Sequence, residues 1–414
     1  MKKIIIVALC LCANAYAENT DKTLNLTRAN AVSIALANSP QLRAVKTSID
    51  ASKGKLEQSG RLDNPSLGLS YGNDFLFGKE GEDALEISIS QKFPLFGRLS
   101  KEKDIAKIDI DLASLEYKQA EKDLALSVEI AYINSLKVAE NLAKSQRQFK
   151  LFQDIKNYLH SSCQRAEGSH LDCLSATNEC ERLAIEVEQA KIDYETSILE
   201  LKGLLAIDKD IRLADNLEII ATSDKSFSES VLSLRYDYQM LLKAKDSVKA
   251  QVALIEAEKF EDIEVGIFLE TANSCDVPVG LKRESAIGIS LSIPLPIKSF
   301  NGAISEKIAM RRKVEELALD AEIKIKNEIR IYSLRAKRLE QILKNKESQS
   351  IANSLELYEK YLEAYENAQL SIAEVFAVWQ QHLALLEMDI DIKTEQAINS
   401  IKLNYALGNF ENEK

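Results

Sequence analysis

The most reactive side chains of this chain cluster in the sequence around Gly168. They are two histidines and two cysteines: His160, Cys163, His170 and Cys173. Cys163 and Cys173 each lie five residues from Gly168, so a turn at the glycine would let the two thiols face each other. Three interpretations fit: a disulfide, free buried thiols, or a site for a soft or borderline metal cation that also uses the histidines and Cys180. The spacing matches no standard zinc motif, which argues against the metal site.

The remainder of the chain has no arrangement of side chains that is typical of catalysis. It contains three histidines in all, no serine in a nucleophile elbow, no phosphate-binding loop and no repeated acidic metal ligands. Cys275 stands apart, in a predicted external loop and without an obvious partner. The sequence therefore predicts a protein that is not an enzyme and that needs no cofactor.

A long helical hairpin would position the histidines and cysteines. Residues 98–160 contain neither proline nor glycine, and their apolar residues recur at three- and four-residue spacing, as in a coiled-coil seam. At about 1.5 Å per residue this stretch would form a rod of about 95 Å. The chain turns at 167–169 and returns, which predicts an antiparallel coiled coil over about 98–206. A second hairpin of the same kind is predicted over about 302–407.

Four other stretches alternate apolar and polar residues with a period of two, as strands do. The predicted strands cover about 65–72, 84–93, 262–270 and 285–293. Ile89 and Ile289 lie on the apolar face, whereas Ser88 and Ser290 lie on the polar face. Strands of this length can span a bilayer when tilted. An ordinary four-stranded sheet packed on helices would alternate in the same way.

The strands and hairpins occur twice, which indicates an internal duplication. Residues 87–90 (ISIS) and 289–292 (ISLS) are offset by 202 positions, and Pro94 and Pro296 follow them at the same offset. The predicted parts are a first repeat over 18–206, a connector over 207–226, a second repeat over 227–408 and a tail over 409–414.

The first 17 residues have the features of a secretory signal peptide. Lys2 and Lys3 form a basic start, residues 4–12 are apolar, and residues 15–17 (AYA) form a small-residue cleavage site, so the mature chain would begin at Glu18. An exported chain meets the oxidising conditions in which a disulfide forms. The formal net charge of −11 argues against a nucleic-acid partner.

The strands are the only predicted elements that could enter a membrane. The mature chain has no run of about 20 apolar residues, as a spanning helix would need. Four strands cannot close a barrel, because open edges cannot face lipid and the smallest known barrels have about eight strands. A chain that inserts these strands must therefore oligomerise.

The order and spacing of these elements resemble the TolC family of outer-membrane efflux factors. Within that family the chain is most similar to the shorter members that are paired with heavy-metal pumps of the resistance-nodulation-division type. The resemblance covers nearly all of the mature chain. Besides the duplicated order of elements it rests on three motifs: residues 64–67 (NPSL), residues 93–98 (FPLFGR) and the hairpin tip at residues 165–176, which includes Arg165, Gly168 and Asp172.

The resemblance implies both a fold and a set of partners. The fold is mainly α-helical with a membrane β-barrel: a homotrimer shares a 12-stranded barrel in outer-membrane lipid and extends an α-helical tunnel across the periplasm. The implied function is passive conduction of substrate, with heavy-metal cations as one candidate, to the outside. The implied partners are a periplasmic membrane-fusion adaptor and an inner-membrane pump of the resistance-nodulation-division type.

In the family, acidic residues near the hairpin tips line the narrow periplasmic end of the tunnel and select cations. Asp172 matches that motif, and Glu374 lies one position along the helix from its counterpart. The second tip departs from the family pattern, since residues 367–369 (NAQ) replace the usual glycine and Ala373 stands where the first tip has Asp172. The alternative is that both carboxylates are ordinary solvated groups.

A second functional class also fits a chain of coiled coils and strands. It is a periplasmic adaptor or scaffold protein that never enters the membrane. Adaptors usually carry one hairpin flanked by lipoyl-like β domains, whereas this chain has two hairpins and two strand pairs, which favours the channel.

Overall fold

The computed structural model describes residues 23–73, 82–165, 169–217, 227–276, 280–295, 297, 299–345, 349–367 and 369–409. Its elements, in chain order, are β1 (Leu24–Leu26), α1 (Arg28–Asn38), α2 (Pro40–Gln58), β2 (Ser66–Asn73), β3 (Asp83–Phe93), α3 (Arg98–Gln164), α4 (His170–Leu205), β4 (Ile211–Leu213), α5 (Glu229–Leu234), α6 (Tyr236–Glu258), β5 (Ile263–Asp276), β6 (Gly280–Ser292), α7 (Asn301–Asn345), α8 (Gln349–Glu366) and α9 (Ile372–Ala406).

The order of helix, strand, strand and long hairpin occurs twice, which confirms the predicted duplicated fold. Local signals explain several of the boundaries. Thr27 accepts a hydrogen bond from the backbone N–H of Asn30 and caps α1, and Pro40 begins α2, where a missing N–H costs nothing. Gly97, with a φ of 73°, makes the turn that leads from the strand into α3.

Three features differ from the sequence-based expectations. The predicted connector contains a strand, β4, which pairs in parallel with β1. Strands β5 and β6 continue beyond the predicted 262–270 and 285–293 and pair as far as Asp276 with Gly280. Cys275 therefore lies in a strand, with its backbone opposite Leu281, and its assignment to an external loop was wrong. Polar residues near the hairpin end hid this extension, because the apolar alternation stops before the backbone pairing does.

The chain folds into two compact units, and each unit combines segments from both repeats. One unit comprises the chain up to Leu42, Ala120–Leu234 and the chain from Ile325 onward. The other comprises Arg43–Gln119 and Arg235–Lys324. The two repeats therefore follow each other in the sequence but do not form separate folding units. Each compact unit contains equivalent parts of both repeats.

The unit built from 43–119 and 235–324 contains an antiparallel sheet in the order β2-β3-β5-β6. Its central contact joins the two repeats, because β3 of the first repeat pairs with β5 of the second. This pairing runs from Asp83 opposite Asn273 to Phe93 opposite Ile263. Arg98, at the start of α3, forms an ion pair with Asp262, just before β5, at 2.9 Å. The strand pairs of the two repeats are therefore held in one continuous sheet.

The other unit has an apolar core around the β1–β4 pair. Its fully buried members include Leu26, Val128, Tyr132, Leu201 and Leu205. They come from β1, α3 and α4, so the first hairpin packs on the small sheet that the sequence did not predict. No helix among the described residues combines the length and the apolar character that a membrane span needs.

Candidate functional site

One face of the four-stranded sheet is apolar and exposed. The register places Leu67, Ile89, Ile267 and Ile289 opposite one another, so that they form one row across all four strands. Their exposed fractions run from 58% for Ile89 to 78% for Ile289. The next row contains Leu69, Ile87, Leu269 and Ile287, which are also exposed. Such a patch on an isolated chain marks a surface that another apolar phase or another molecule covers.

The apolar face ends sharply toward the β5–β6 turn. Tyr71 and Leu85 face each other at the end of the apolar band. Two residues further along each strand, the register aligns a row of polar side chains: Asn73, Asp83, Asn273 and Arg283. The amide of Asn273 donates to Asp83 at 2.5 Å. The face therefore consists of an apolar band with a polar border, as a strand face has where lipid gives way to water.

The opposite face of the sheet is mostly polar and combines small residues with charged ones, and Phe268 also lies on it. Ser66 and Ser90 are hydrogen-bonded at 2.7 Å, and Ser90 also donates to the carboxylate of Glu264. A Cβ at Gly266 would lie 2.5 Å from the hydroxyl oxygen of Ser290, so the backbone there is closely approached by its neighbour. The alternation seen in the sequence thus separates an apolar from a polar face, with Ile89 and Ile289 on the first and Ser88 and Ser290 on the second.

Both edges of this sheet are unpaired among the described residues. Strands β2 and β6 each have a partner on one side only. An open edge exposes a row of N–H and C=O groups, which is costly in lipid and which can pair with the edge of another chain. The sheet is thus suited to continue into further copies of itself.

At the turn of the first hairpin, a disulfide joins Cys163 to Cys173, with the two Cα atoms 6.8 Å apart. It links the last turn of α3 to the first turn of α4. The nearby His160 contacts Gln164 at 3.0 Å through its ring nitrogen Nε2. The disulfide removes Cys163 and Cys173 as thiolate ligands of the proposed metal site and leaves Cys180 as a free thiol. Among the described residues no group of three or more His, Cys, Asp or Glu side chains is arranged to hold a metal ion.

The two predicted gate carboxylates differ in their surroundings. Asp172 lies in the first turn of α4 and is partly exposed. Burial raises the pKa of Tyr365, on α8, and the charge of Asp172 raises it further. The first hairpin therefore brings Asp172 near the second. Arg165 is exposed at the same turn, whereas Gly168 lies outside the described residues.

Glu374 has a local structural role at the start of α9. Its carboxylate accepts the backbone N–H of Ser371 at 2.8 Å and the hydroxyl of Ser371 at 2.9 Å. These hydrogen bonds hold the pKa of Glu374 below its usual range, the backbone N–H having the larger effect. Glu374 is thus part of a capping box that satisfies the free N–H groups of the helix end. Sequence reasoning missed this, although the serine three positions before the glutamate was a signal for it.

An aromatic cluster packs the two hairpins against each other behind their turns. Phe152 of α3 and Phe376 of α9 have ring centroids 4.8 Å apart, and Tyr358 of α8 lies 4.5 Å from Trp379 of α9. Phe376 and Trp379 therefore take part in the packing between the hairpins. The cluster also contains Leu159, Leu183, Ile372 and Val375. The position of each turn thus depends on contacts with the other hairpin.

Comparison with known sequences gives a match to one family model over part of the chain. A family model described as outer membrane efflux protein matches residues 31–206. These residues include β2, β3 and the whole first hairpin. No curated protein matches the chain significantly.

Comparison with solved structures extends the similarity to nearly the full chain. CusC, whose crystal structures concern folding and transmembrane channel formation, has a TM-score of 0.74 and 15% identity, with 96% of each chain covered. The Campylobacter jejuni outer membrane channel CmeC has a TM-score of 0.73 and 16% identity over 97% of this chain and 92% of that one. The open Neisseria gonorrhoeae MtrE outer membrane channel has a TM-score of 0.70 and 16% identity over 92% and 89%. At these identities the matches establish the fold.

Proposed function

We propose that this protein, which matches the outer membrane efflux protein family model over residues 31–206 and shares the fold of CusC, forms the outer-membrane channel of a tripartite efflux system. The channel is passive. An inner-membrane pump and a periplasmic adaptor deliver the substrate, and the channel conducts it to the outside.

The single observation that carries the proposal is the exposed apolar band on a sheet with two open edges. A surface in which Ile89, Ile267 and Ile289 are each more than half exposed is costly in water. In lipid the same surface is stabilising, but the open edges of β2 and β6 are not tolerated there. Three copies of the sheet joined edge to edge would give 12 strands and leave no edge. The proposal is therefore a homotrimer whose apolar faces contact outer-membrane lipid.

The partners and the cargo follow from the resemblance. We assign a membrane-fusion adaptor and a pump of the resistance-nodulation-division type as partners, and heavy-metal cations as the cargo class. The acidic balance of the chain, with a formal net charge of −11, favours cations over anions in a water-filled passage.

For the gate we propose Asp172 as the selecting group. Three copies of a carboxylate close to an axis attract cations and repel anions. Tyr365, whose pKa is raised by burial and by the charge of Asp172, lies near it, so the carboxylate is close to the second hairpin rather than isolated in solvent. Because Glu374 caps α9, we assign it the positioning of the second turn as well as a contribution to the charge at the gate.

Fractionation and reconstitution test the channel. The mature protein should fractionate with the outer membrane, run as a heat-modifiable trimer in detergent, and conduct ions in planar bilayers. The adaptor or scaffold alternative would instead yield a monodisperse protein in the periplasm that needs no detergent. That result would overturn the proposal.

Reversal potentials under a salt gradient test the gate. Asp172→Asn should lower the preference for cations over anions without changing trimer yield. Asp154→Asn is the matched control, because it removes the same charge from an exposed position on α3 that is not in the turn. Glu374→Gln removes the charge of Glu374 but keeps its capping role, because the glutamine side chain can still accept the N–H of Ser371. Equal selectivity in Asp172→Asn and Asp154→Asn would contradict the role of Asp172.

A further inference from the structure

A groove lies between α3 and α9 and has two chemically different walls. Its volume is about 360 Å³, which is within the size range of small-molecule sites. The α9 wall is mostly apolar, and the α3 wall is polar throughout. Leu217, after β4, closes part of the groove.

The apolar wall follows one face of α9. Its side chains are spaced by three or four residues, so they share that face: Trp379, His382, Leu383, Leu386 and Ile390. His382 is 5% exposed, and its ring nitrogen Nδ1 lies 2.7 Å from the hydroxyl oxygen of Ser354. Burial lowers the pKa of His382, so the ring is neutral at pH 7. This wall therefore offers an aromatic ring and aliphatic side chains but no buried charge.

The α3 wall contains Glu140, Lys144, Arg147 and the buried Gln148. Lys144 pairs with the largely exposed Glu387 at 3.5 Å, which is a weak, solvent-screened contact. Arg147 has no ion-pair partner among the residues that the structure describes. Its guanidinium can bind a carboxylate or sulfonate through two parallel hydrogen bonds.

Among the described residues that line the groove, no acidic side chain forms an ion pair with Arg147. Glu140 lies seven residues from Arg147, about 10 Å along the helix, and Lys144 stands between the two. Asp389 is paired with Lys393 at 2.9 Å, so these charges offset each other. The groove lining thus contains three basic side chains (Lys144, Arg147 and Lys393) and two acidic ones (Glu140 and Asp389), beside an apolar wall.

We propose that this groove binds a small amphipathic anion, with its apolar body against Trp379, Leu383 and Leu386 and its carboxylate or sulfonate on Arg147. The ligand is an aliphatic or aromatic acid. The site lies in the helical unit, on α3 and α9, and does not depend on the conduction of ions by the protein.

Trp379 makes the test specific, because it is the only tryptophan in the chain. The probe is 1-anilinonaphthalene-8-sulfonate, an aromatic sulfonate whose absorption overlaps tryptophan emission. Added to the purified mature protein, it should quench Trp379 saturably and emit by energy transfer. Octanoate should displace the probe, whereas octylamine should not. Trp379→Phe should abolish the transfer and leave only emission from directly excited probe.

Matched variants locate the anion. Arg147→Gln should raise the dissociation constant about tenfold or more, because a charge-assisted contact is lost. Lys150→Gln removes the same charge from an exposed position on α3 that does not line the groove and should leave the constant unchanged. Leu386→Phe should weaken binding by filling the groove. No energy transfer, equal dissociation constants in Arg147→Gln and Lys150→Gln, or equal displacement by octylamine would each overturn the proposal.

Discussion

The hydroxyl of Tyr132 donates a hydrogen bond to the carboxylate of Asp215 at 2.8 Å. The same hydroxyl contacts the backbone carbonyl of Leu26 at 2.9 Å, and the same carboxylate oxygen accepts the backbone N–H of Arg28 at 2.8 Å. Tyr132 is fully buried. This network connects the middle of α3 to β1, to the start of α1 and to the segment after β4, so it holds together parts of the chain that are far apart in sequence.

Two tyrosines give a matched test of this network. Tyr132→Phe removes a hydroxyl that satisfies a buried acceptor, so the free energy of unfolding should fall by about 1 to 3 kcal/mol. Tyr358→Phe is the control, because the hydroxyl of Tyr358 is buried and has no hydrogen-bond partner among the described residues. Its removal should be neutral or slightly stabilising. Guanidinium unfolding of both variants measures the difference, and equal losses would mean that the network contributes nothing specific.

Alkaline pH should weaken the same network. Burial, together with the hydrogen bond and charge of Asp215, raises the pKa of Tyr132 above its usual value. Folding therefore favours the protonated hydroxyl. The stabilisation is fully present below the unfolded pKa of about 10 and is lost as the pH rises above it. Stability measured between pH 9 and 11 should decline, and Tyr132→Phe should decline less steeply. If the stability of the wild-type protein and of Tyr132→Phe declined equally with pH, the loss would not come from Tyr132.

Thiol counting tests the disulfide at the first turn. The mature chain would have four cysteines, Cys163, Cys173, Cys180 and Cys275. Denatured, unreduced protein should titrate two thiols per chain, and reduced protein should titrate four. Reduction should destabilise the turn by about 2 to 3 kcal/mol, the loop-closure value for a short loop, and channel openings should become more frequent. Four thiols without reductant would rule the disulfide out.

Lysine substitutions test the two faces of the sheet. Ile89→Lys or Ile289→Lys places a charge on the apolar face and should cost about 2 to 4 kcal/mol near the bilayer midplane. Ser88→Lys and Ser290→Lys place the same charge on the polar face and should be tolerated. The yield of assembled trimers in outer-membrane fractions is the measurement. Equal defects on both faces would contradict the assignment of the apolar face to lipid.

Periodicity in the sequence was sufficient to predict the long helices, the four strands of the larger sheet and the faces of those strands. A period of two separates Ile89 from Ser88 in any sheet, because successive side chains point to opposite faces. A seam of apolar residues without proline or glycine makes α3 a long helix in any packing. The symmetric positions of Cys163 and Cys173 about Gly168 likewise required only a turn between them. The helix, the strand faces and the cysteine pairing each depend on residues that are close in the sequence, so the sequence alone is enough to predict them.

The tertiary structure alone decided which distant parts meet. The pairing of Leu24–Leu26 with Ile211–Leu213 joins two three-residue strands that have no periodicity to reveal them. The role of Asp215 as a shared acceptor, the contact of Phe152 with Phe376, and the groove between Arg147 and Trp379 all bring together residues from separate elements. A side chain's partners across the fold depend on how whole helices pack, and that packing is set by the sum of many weak apolar contacts rather than by any local pattern.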